Sequence, residues 1–331
     1  MYPPQVEDVL HHRDTAGLQS CLALTFSLSL LLTGSVACGP TEPLSEPSSL
    51  ARQWQTLQTD NGLAPNGLSA NGLSANGLSA NGLSANGLSA NGLSQLSFVT
   101  WFTQNPAQND LVMRYVVRCA VPAAESRTYT DPQTQLTYTW HGSLGLAPGW
   151  ASGQAATLEE QQLISACLAA HTNKFGVSVS ISVLGQDALG QFIPFTEEEL
   201  HGYSRKEACF FGNLFTGEGV FFGVDSPRLH DNESSPRACA LSSVEPELRN
   251  DCAPLTYAGK CKDLCERVHG EKFYLECSLH GVTYKPITTR VAKRDVYACG
   301  DGICQFTESC GRGTRSNSCE KDCGRCSDDQ D

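Results

Sequence analysis

Sixteen cysteines in 331 residues constrain this chain more than any other feature. A reducing cytosol keeps thiols free, so this count requires bound metal or an oxidising compartment. Two of them, Cys21 and Cys38, lie in or beside an apolar N-terminal segment. The other fourteen form an even group of eight followed by an even group of six, and both could close on themselves as disulfides. These candidates are Cys119, Cys167, Cys209, Cys239, Cys252, Cys261, Cys265, Cys277, Cys299, Cys304, Cys310, Cys319, Cys323 and Cys326.

The pairing of these cysteines stays open, because eight and six cysteines allow many connectivities. Proximity suggests a bond between Cys119, at the end of a predicted strand, and Cys167, on a predicted helix. Cys209 and Cys239 could close the segment that follows. Cys261 and Cys265 are one helical turn apart and are expected to bond to different partners.

The N-terminal segment predicts export. Residues 18–37 carry no charge, and their densest apolar part has the length of a signal-peptide core but is short for a membrane span. We therefore predict a signal peptide at 1–37; an uncleaved membrane anchor is the alternative.

Small residues stand directly before Cys38, in the order Ser35-Val36-Ala37. This pattern resembles the lipobox of bacterial lipoproteins, with Ser35 where that family usually has Leu. The region before it is also poor in positive charge. The resemblance implies cleavage before Cys38 and lipidation of its thiol. It also implies a location at the cell envelope, outer membrane or cell surface, whereas a simple signal cut nearby would give a secreted protein.

Residues 38–95 contain seven copies of Asn-Gly-Leu at five-residue spacing, the first at Asn61 and the last at Asn91. Regular glycine raises the entropic cost of ordering, so we predict a disordered linker of about 40 Å as random coil. Two alternatives are a β-helix of period five and a weakly adhesive surface for partners.

The charge balance argues against a nucleic-acid partner. The chain has 35 Asp and Glu against 23 Lys and Arg, a net charge of −12. Binding to phosphates needs clustered cations, and no cluster is visible along the sequence.

Residues 96–245 predict an α+β domain. The β-branched run 111–119 predicts a strand, and 127–140 predicts a hairpin around Asp131 and Pro132. Thr157 and Glu160 form a capping-box pattern for a helix expected to reach Gly176. The alternating run 176–183 predicts a half-buried strand. A second capping-box pattern begins at Thr196.

No sequence motif assigns a catalytic residue. Zinc-protease, nucleophile-elbow, P-loop and dinucleotide patterns are absent from the sequence. His171 falls on the apolar face of the predicted helix, which favours a hydrogen-bonded core histidine. The alternative function is a secreted hydrolase that uses His141 with an acid such as Asp187 or Asp225.

Two cysteine-rich segments follow: an extension at 246–297 and a tail at 298–331 with little regular structure. The tail holds six cysteines in 28 residues, for which disulfides are favoured and zinc is the rival. Asp301, Glu308 and Asp322 offer hard oxygen ligands for calcium, although a solvated acidic surface is the more common use of such residues.

The tail pattern CGDGIC…ESC…DCG resembles cysteine-rich repeats of secreted myxobacterial proteins. Residues 117–120 (VRCA), 145–150 (GLAPGW), 164–170 (ISACLAA) and 210–215 (FFGNLF) resemble segments of lipoproteins from the same bacteria. The resemblance implies location and dependence on disulfides, and no activity. We predict a non-enzymatic binding, adhesion or structural role, with the membrane as partner through the lipid and an envelope protein, matrix or glycan as ligand.

Overall fold

The computed structural model describes residues 58–61, 82–225, 229–230, 232–241, 252–312 and 317–326. The predicted signal peptide and Cys38 lie outside the described residues. Helix and strand are mixed as the α+β prediction requires, and seven disulfides link the elements. No helix in the described ranges combines the length and the apolar character needed to cross a membrane.

Ten helices and thirteen strands follow one another in the described residues. The helices are α1 (Leu83–Asn86), α2 (Ala90–Leu93), α3 (Leu96–Gln104), α4 (Pro106–Ala120), α5 (Pro148–Ala151), α6 (Leu158–Ala170), α7 (Glu197–Gly202), α8 (Ala238–Leu241), α9 (Cys261–Leu264) and α10 (Glu320–Cys323). The strands are β1 (Gln58–Asn61), β2 (Ser126–Thr130), β3 (Thr137–His141), β4 (Val179–Leu184), β5 (Arg205–Asn213), β6 (Gly219–Val224), β7 (Glu233–Ser234), β8 (Leu255–Lys260), β9 (Cys265–Glu266), β10 (Glu276–Leu279), β11 (Val282–Tyr284), β12 (Ile287–Val291) and β13 (Tyr297–Ala298).

A six-stranded sheet in the order β1-β4-β12-β5-β6-β8 organises the molecule. All its pairs are antiparallel except β6 with β8. β12 and β8 come from the predicted extension at 246–297, yet β12 lies between β4 and β5. The predicted boundary at residue 245 therefore divides the sheet, and the extension is part of the same fold.

The segment 111–119, predicted as a strand, is part of helix α4, so that prediction is wrong. Pro106 occupies the first turn, and the Asn105 side chain accepts a hydrogen bond from the Gln108 N–H at 3.4 Å. Asp110 and Arg114 form an ion pair at 3.2 Å, one turn apart. The valines that suggested a strand are buried on the helix, because core packing outweighs their weak β preference.

Strand β4 is buried on both faces rather than half-buried. Its pattern alternates as predicted, but Ser182 is 0% exposed like its neighbour Ile181. The strand lies inside the sheet, between β1 and β12. The alternating sequence thus predicted the strand correctly, but the prediction that one of its faces is exposed to solvent is wrong.

Two local predictions are confirmed. The hairpin β2–β3 turns at Asp131, whose carboxylate accepts hydrogen bonds from the Gln133 N–H and the Thr134 hydroxyl, both at 2.8 Å. The capping box of α6 is complete, with Thr157 and Glu160 bonded reciprocally. That helix ends at Ala170, before the predicted stop at Gly176.

All fourteen candidate cysteines are paired in the structure. The expected bond between Cys119 and Cys167 is present, and it joins α4 to α6. The suggested pair of Cys209 with Cys239 is wrong, because β6 and β8 bring Cys261 beside Cys209. The other bonds are Cys239–Cys252, Cys265–Cys277, Cys299–Cys319, Cys304–Cys323 and Cys310–Cys326.

The last three repeats of the predicted linker are folded. They form α1 and α2, and their leucines Leu83, Leu88 and Leu93 are buried at 0%, 0% and 3% exposure. At the other end, the backbone of β1 pairs with β4. The described fold therefore includes 58–61 and 82–95, which we had assigned to the linker.

The tail packs on the domain through few contacts. β13 pairs with β7, and the Thr307 hydroxyl lies 2.8 Å from that of Ser234. The Phe306 ring contacts Phe175 edge-on at 5.4 Å. Three disulfides supply most of its internal order, since one four-residue helix is its only α-helix among the described residues.

His171 is a core histidine, as predicted. It is 0% exposed, and its Nδ1 lies 2.8 Å from the Cys167 carbonyl oxygen. Burial lowers the pKa of His171 to about 3, although the Cys167 carbonyl opposes the shift. The buried imidazole is therefore neutral.

We expect acid to destabilise the protein through His171. The imidazole of His171 binds a proton near pH 6.5 in the unfolded chain and only near pH 3 in the folded chain. The stability that depends on the neutral imidazole is therefore fully present above pH 6.5 and is lost as the pH falls towards 3. The free energy of unfolding should drop by about 1.4 kcal/mol per pH unit in this window. Urea denaturation at several pH values measures the slope, which should flatten in His171→Gln; an unchanged slope would assign it to other groups.

Candidate functional site

Two adjoining open grooves form the most chemically distinctive surface of the described residues. The first has a volume of about 760 Å³ and lies between α7 and the loop 267–272. The second, of about 590 Å³, lies beside the start of β5 and the 3₁₀ turn Lys293–Asp295. Lys206 and Arg290 line both, so the two grooves adjoin at these side chains. We call this surface the basic groove.

The basic groove opposes the charge of the chain as a whole. Six Lys and Arg side chains line it against three glutamates, in a chain of net charge −12. Three histidines add further cationic capacity. The basic residues are Arg205, Lys206, Arg267, Lys272, Arg290 and Lys293, with His201, His230 and His269; the acids are Glu197, Glu233 and Glu271.

Arg290 is fixed at the centre. It lies on β12, and its guanidinium donates hydrogen bonds to the carbonyl oxygens of Tyr203 and Ser204 at 2.7 and 3.0 Å. Carbonyl oxygens orient the group without cancelling its charge. Lys206, on the adjacent strand β5, stands opposite Arg290 in the sheet register.

Arg267 is held by a neighbouring network. Its guanidinium lies 4.1 Å from the centre of the Tyr274 ring and 3.2 Å from the Asp225 carboxylate. The Tyr274 hydroxyl donates to the same carboxylate at 2.6 Å. Burial, followed by the contact with Asp225, raises the pKa of Tyr274. This network positions Arg267, but Asp225 offsets its charge.

Arg205 is similarly paired, with Glu233 at 3.3 Å. Burial alone would raise the pKa of Glu233, but the His230 N–H and Arg205 outweigh it and lower the pKa. In contrast, no ion pair involves Lys206, Lys272 or Lys293 among the described residues. These three lysines and Arg290 are the charges available to a ligand.

Helix α7, which borders the groove, also carries a buried acid that does not line it. Glu199, on the inner side of α7, is 3% exposed. Burial raises the pKa of Glu199, against the opposing effects of the Ser182 hydroxyl and the Thr196 backbone. The neighbouring acids of the 197–199 run lie in the first turn of the helix, where the helix dipole favours negative charge.

The structure does not assemble the residues proposed for a hydrolase. His141 is exposed at the end of β3. The Asp187 carboxylate accepts the N–H groups of Leu189 and Gln191, both at 2.8 Å. Asp225 is bonded to Tyr274 and Arg267. None of these contacts joins either acid to His141.

The acids of the tail cap backbone groups. Asp322 accepts the N–H groups of Gly300 and Gly302, and Asp301 accepts that of Ile303. Burial raises the pKa of Glu308, and the charges of Asp322 and Asp301 add to the effect. Calcium binding by Asp301, Glu308 and Asp322 stays a prediction.

Three groups of potential metal ligands occur among the described residues, and cysteine dominates each. They are Cys119, Cys167 and His171; Cys209, Cys265 and Cys277; and Cys299, Cys319 and Asp322. Every cysteine in them is bonded to another cysteine in the structure. A disulfide sulfur is not a thiolate, the form that binds zinc.

Sequence reasoning missed the basic groove. Its cations come from β5, the loop 267–272, β12 and the turn after it, and they are separated by many residues of other character. The local signals were three short basic runs: Arg205–Lys206, Arg267–Lys272 and Arg290–Arg294. Nothing in the sequence indicated that these runs meet.

Comparison with known proteins identifies only the repeats. The GLTT repeat family matches six copies at residues 62–89. No curated protein and no solved structure matches the chain. The matched region includes part of the folded segment 82–94, so the repeat is a structural element at its C-terminal end.

Proposed function

We propose that this chain is an exported, disulfide-stabilised binding protein whose basic groove holds an acidic polysaccharide of the envelope or matrix. The observation behind the proposal is the segregation of cations: an acidic chain presents one continuous basic surface. Like-charged side chains repel one another, and such a surface attracts anions. The role is binding and adhesion without chemistry.

The shape of the groove favours an extended ligand. Two open grooves joined through Lys206 and Arg290 offer a path for a chain with repeated anionic groups. Carboxylate or sulfate groups along a polysaccharide would meet successive lysines. Net negative charge elsewhere on the protein disfavours long duplex nucleic acids, which carry one negative charge per about 1.7 Å of helix axis.

Charge reversal tests the proposal. We expect Lys206→Glu, Lys272→Glu and Lys293→Glu together to lower the affinity for polygalacturonate or dextran sulfate by about 100-fold at low ionic strength, counting about 1 kcal/mol for each reversed contact. Binding by the native chain should weaken as salt is added, because salt screens exposed charges. Uncharged dextran should not bind.

The matched control is Lys260→Glu, Lys262→Glu and Lys321→Glu, which changes net charge equally on exposed lysines outside the groove. This variant should retain most of the affinity. Equal losses in both variants would mean that net charge alone governs binding and would refute a defined site. Tighter binding to single-stranded DNA than to the acidic polysaccharides would also refute it.

We further propose that the protein is a lipoprotein of the myxobacterial type, anchored to the outer membrane through Cys38. The lipobox-like SVAC sequence and the disulfides support this. Bacterial cells supplied with labelled fatty acid should incorporate it into the native protein and not into Cys38→Ala. Equal labelling of the variant would refute an anchor at this residue.

A further inference from the structure

The folded repeats bind a defined surface of the domain. The Trp150 indole N–H donates to the Leu83 carbonyl oxygen at 2.6 Å, and the Leu88 N–H donates to the Trp150 carbonyl oxygen at 2.9 Å. The Ala156 N–H bonds to the Ser84 carbonyl oxygen at 2.8 Å. We call the surface formed by Trp150, Gly153 and Ala156 the repeat-binding surface.

The contacts of residues 82–94 use features that all repeats from Asn66 to Ser94 share. The three leucines are buried. Gly87 has φ of +70°, and a Cβ there would lie 2.4 Å from Gly153 backbone atoms, so glycine is required. The Ser89 hydroxyl accepts the Gly92 N–H at 3.3 Å, which caps α2. The Asn86 side-chain amide donates to the Gly82 carbonyl oxygen at 2.8 Å, and the Ser94 hydroxyl donates to the Asn91 carbonyl oxygen at 2.9 Å. Gln95, which follows the bound segment and stands where the preceding repeats have Ala, adds a bond to the same Asn91 oxygen at 3.2 Å.

The bound segment has identical copies upstream. Residues 82–94 read GLSANGLSANGLS, and the same letters stand at 77–89, 72–84 and 67–79. The repeat-binding surface therefore cannot distinguish these segments by their own side chains. A shift by one repeat lengthens the connection to α3 by five residues and shortens the connection to β1 by five, and the entropic cost of closing a loop changes slowly with its length.

We propose that the repeat-binding surface also accepts residues 77–89, 72–84 or 67–79 of the same chain in place of 82–94, so that the repeats slide in five-residue steps. Twenty residues, 62–81, separate β1 from the bound segment, so one step leaves fifteen. Each step transfers five residues from the loop after β1 to the loop before α3, and the domain holds the outer end of both loops.

Replacing one buried leucine of the bound segment by aspartate tests the sliding. Each of the three leucines leaves the repeat-binding surface after a different number of steps. One step removes residue 93 from the surface, two steps remove residue 88, and three steps remove residue 83. We expect L93D to lower the urea midpoint least and L83D most, although both native leucines are buried.

Measuring L93D in a second variant of the chain, whose upstream repeats cannot bind, separates sliding from differences in local packing. Replacing Leu68, Leu73 and Leu78 by Asp places an acid in every shifted register and should leave the midpoint of the otherwise native chain unchanged. L93D should then lower the midpoint much further in this background than in the native one. If the chain occupied a single register, the effects of L93D and of the three upstream substitutions on the midpoint would add. Any loss beyond that sum therefore measures sliding.

Equal effects of L93D in the two backgrounds would overturn the proposal, because the chain would then occupy one register. Sedimentation supplies a second measurement on the same variants. L93D should remain a monomer, whereas a concentration-dependent dimer would show that repeats of a second copy occupy the surface and would overturn sliding within one chain.

Discussion

Replacing Arg237 by methionine is expected to lower the free energy of unfolding by about 3–5 kcal/mol. Arg237 and Glu207 form an ion pair at 2.6 Å whose side chains are only 1% and 0% exposed. The guanidinium also donates to the Thr172 carbonyl oxygen at 2.7 Å and lies against the Phe210 ring. Methionine fills much of the space but leaves the Glu207 carboxylate buried without a counter-charge.

Urea denaturation measures this loss, and a double variant separates its causes. In Arg237→Met with Glu207→Gln, neither buried charge remains, so part of the lost stability should return. The bond to Thr172 stays broken in both variants and gives the remaining deficit. A loss below about 1 kcal/mol in Arg237→Met would contradict a buried ion pair, since exposed pairs contribute that little.

Removing the disulfide between Cys119 and Cys167 with alanines is expected to cost about 4 kcal/mol. The bond closes a loop with a sequence separation of 48 and ties α4 to α6, and both sulfurs lie in the core. Its loss frees the unfolded chain and leaves small cavities in the folded one. Urea denaturation under non-reducing conditions gives the change.

The tail disulfide between Cys310 and Cys326 provides the contrasting variant. It closes a shorter loop, with a separation of 16, in a segment that contacts the domain through few groups. Alanines at these positions should leave the midpoint of the domain nearly unchanged and make the tail sensitive to protease. Equal losses of domain stability in the two variants would show that tail and domain unfold as one unit.

Features governed by neighbours in the chain could be predicted from the sequence. The capping box of α6 depends on residues three apart, and the hairpin turn depends on Asp131 and the residues beside it. The even number of cysteines in each of the two groups predicted that the cysteines of each group pair with one another as disulfides. The strand predicted at 111–119 failed because valines suit a strand and a buried helix alike, and core packing decided between them.

The folding of the last repeats could not be predicted in the same way. Leu83 belongs to a repeat with the same sequence as others upstream, and it is buried because Trp150, far along the chain, provides a hydrogen bond and a surface. Composition describes the repeat but not the place where it binds.

The sequence by itself determined that the chain relies on disulfides and that a mixed fold follows a repeat, because cysteine parity, capping and alternation are local. Only the tertiary structure decided the candidate site. Lys206 and Arg290 are far apart in sequence, and they meet because β12 inserts beside β5. Strand pairing in the sheet therefore gathers cations from separate parts of the chain into one basic groove.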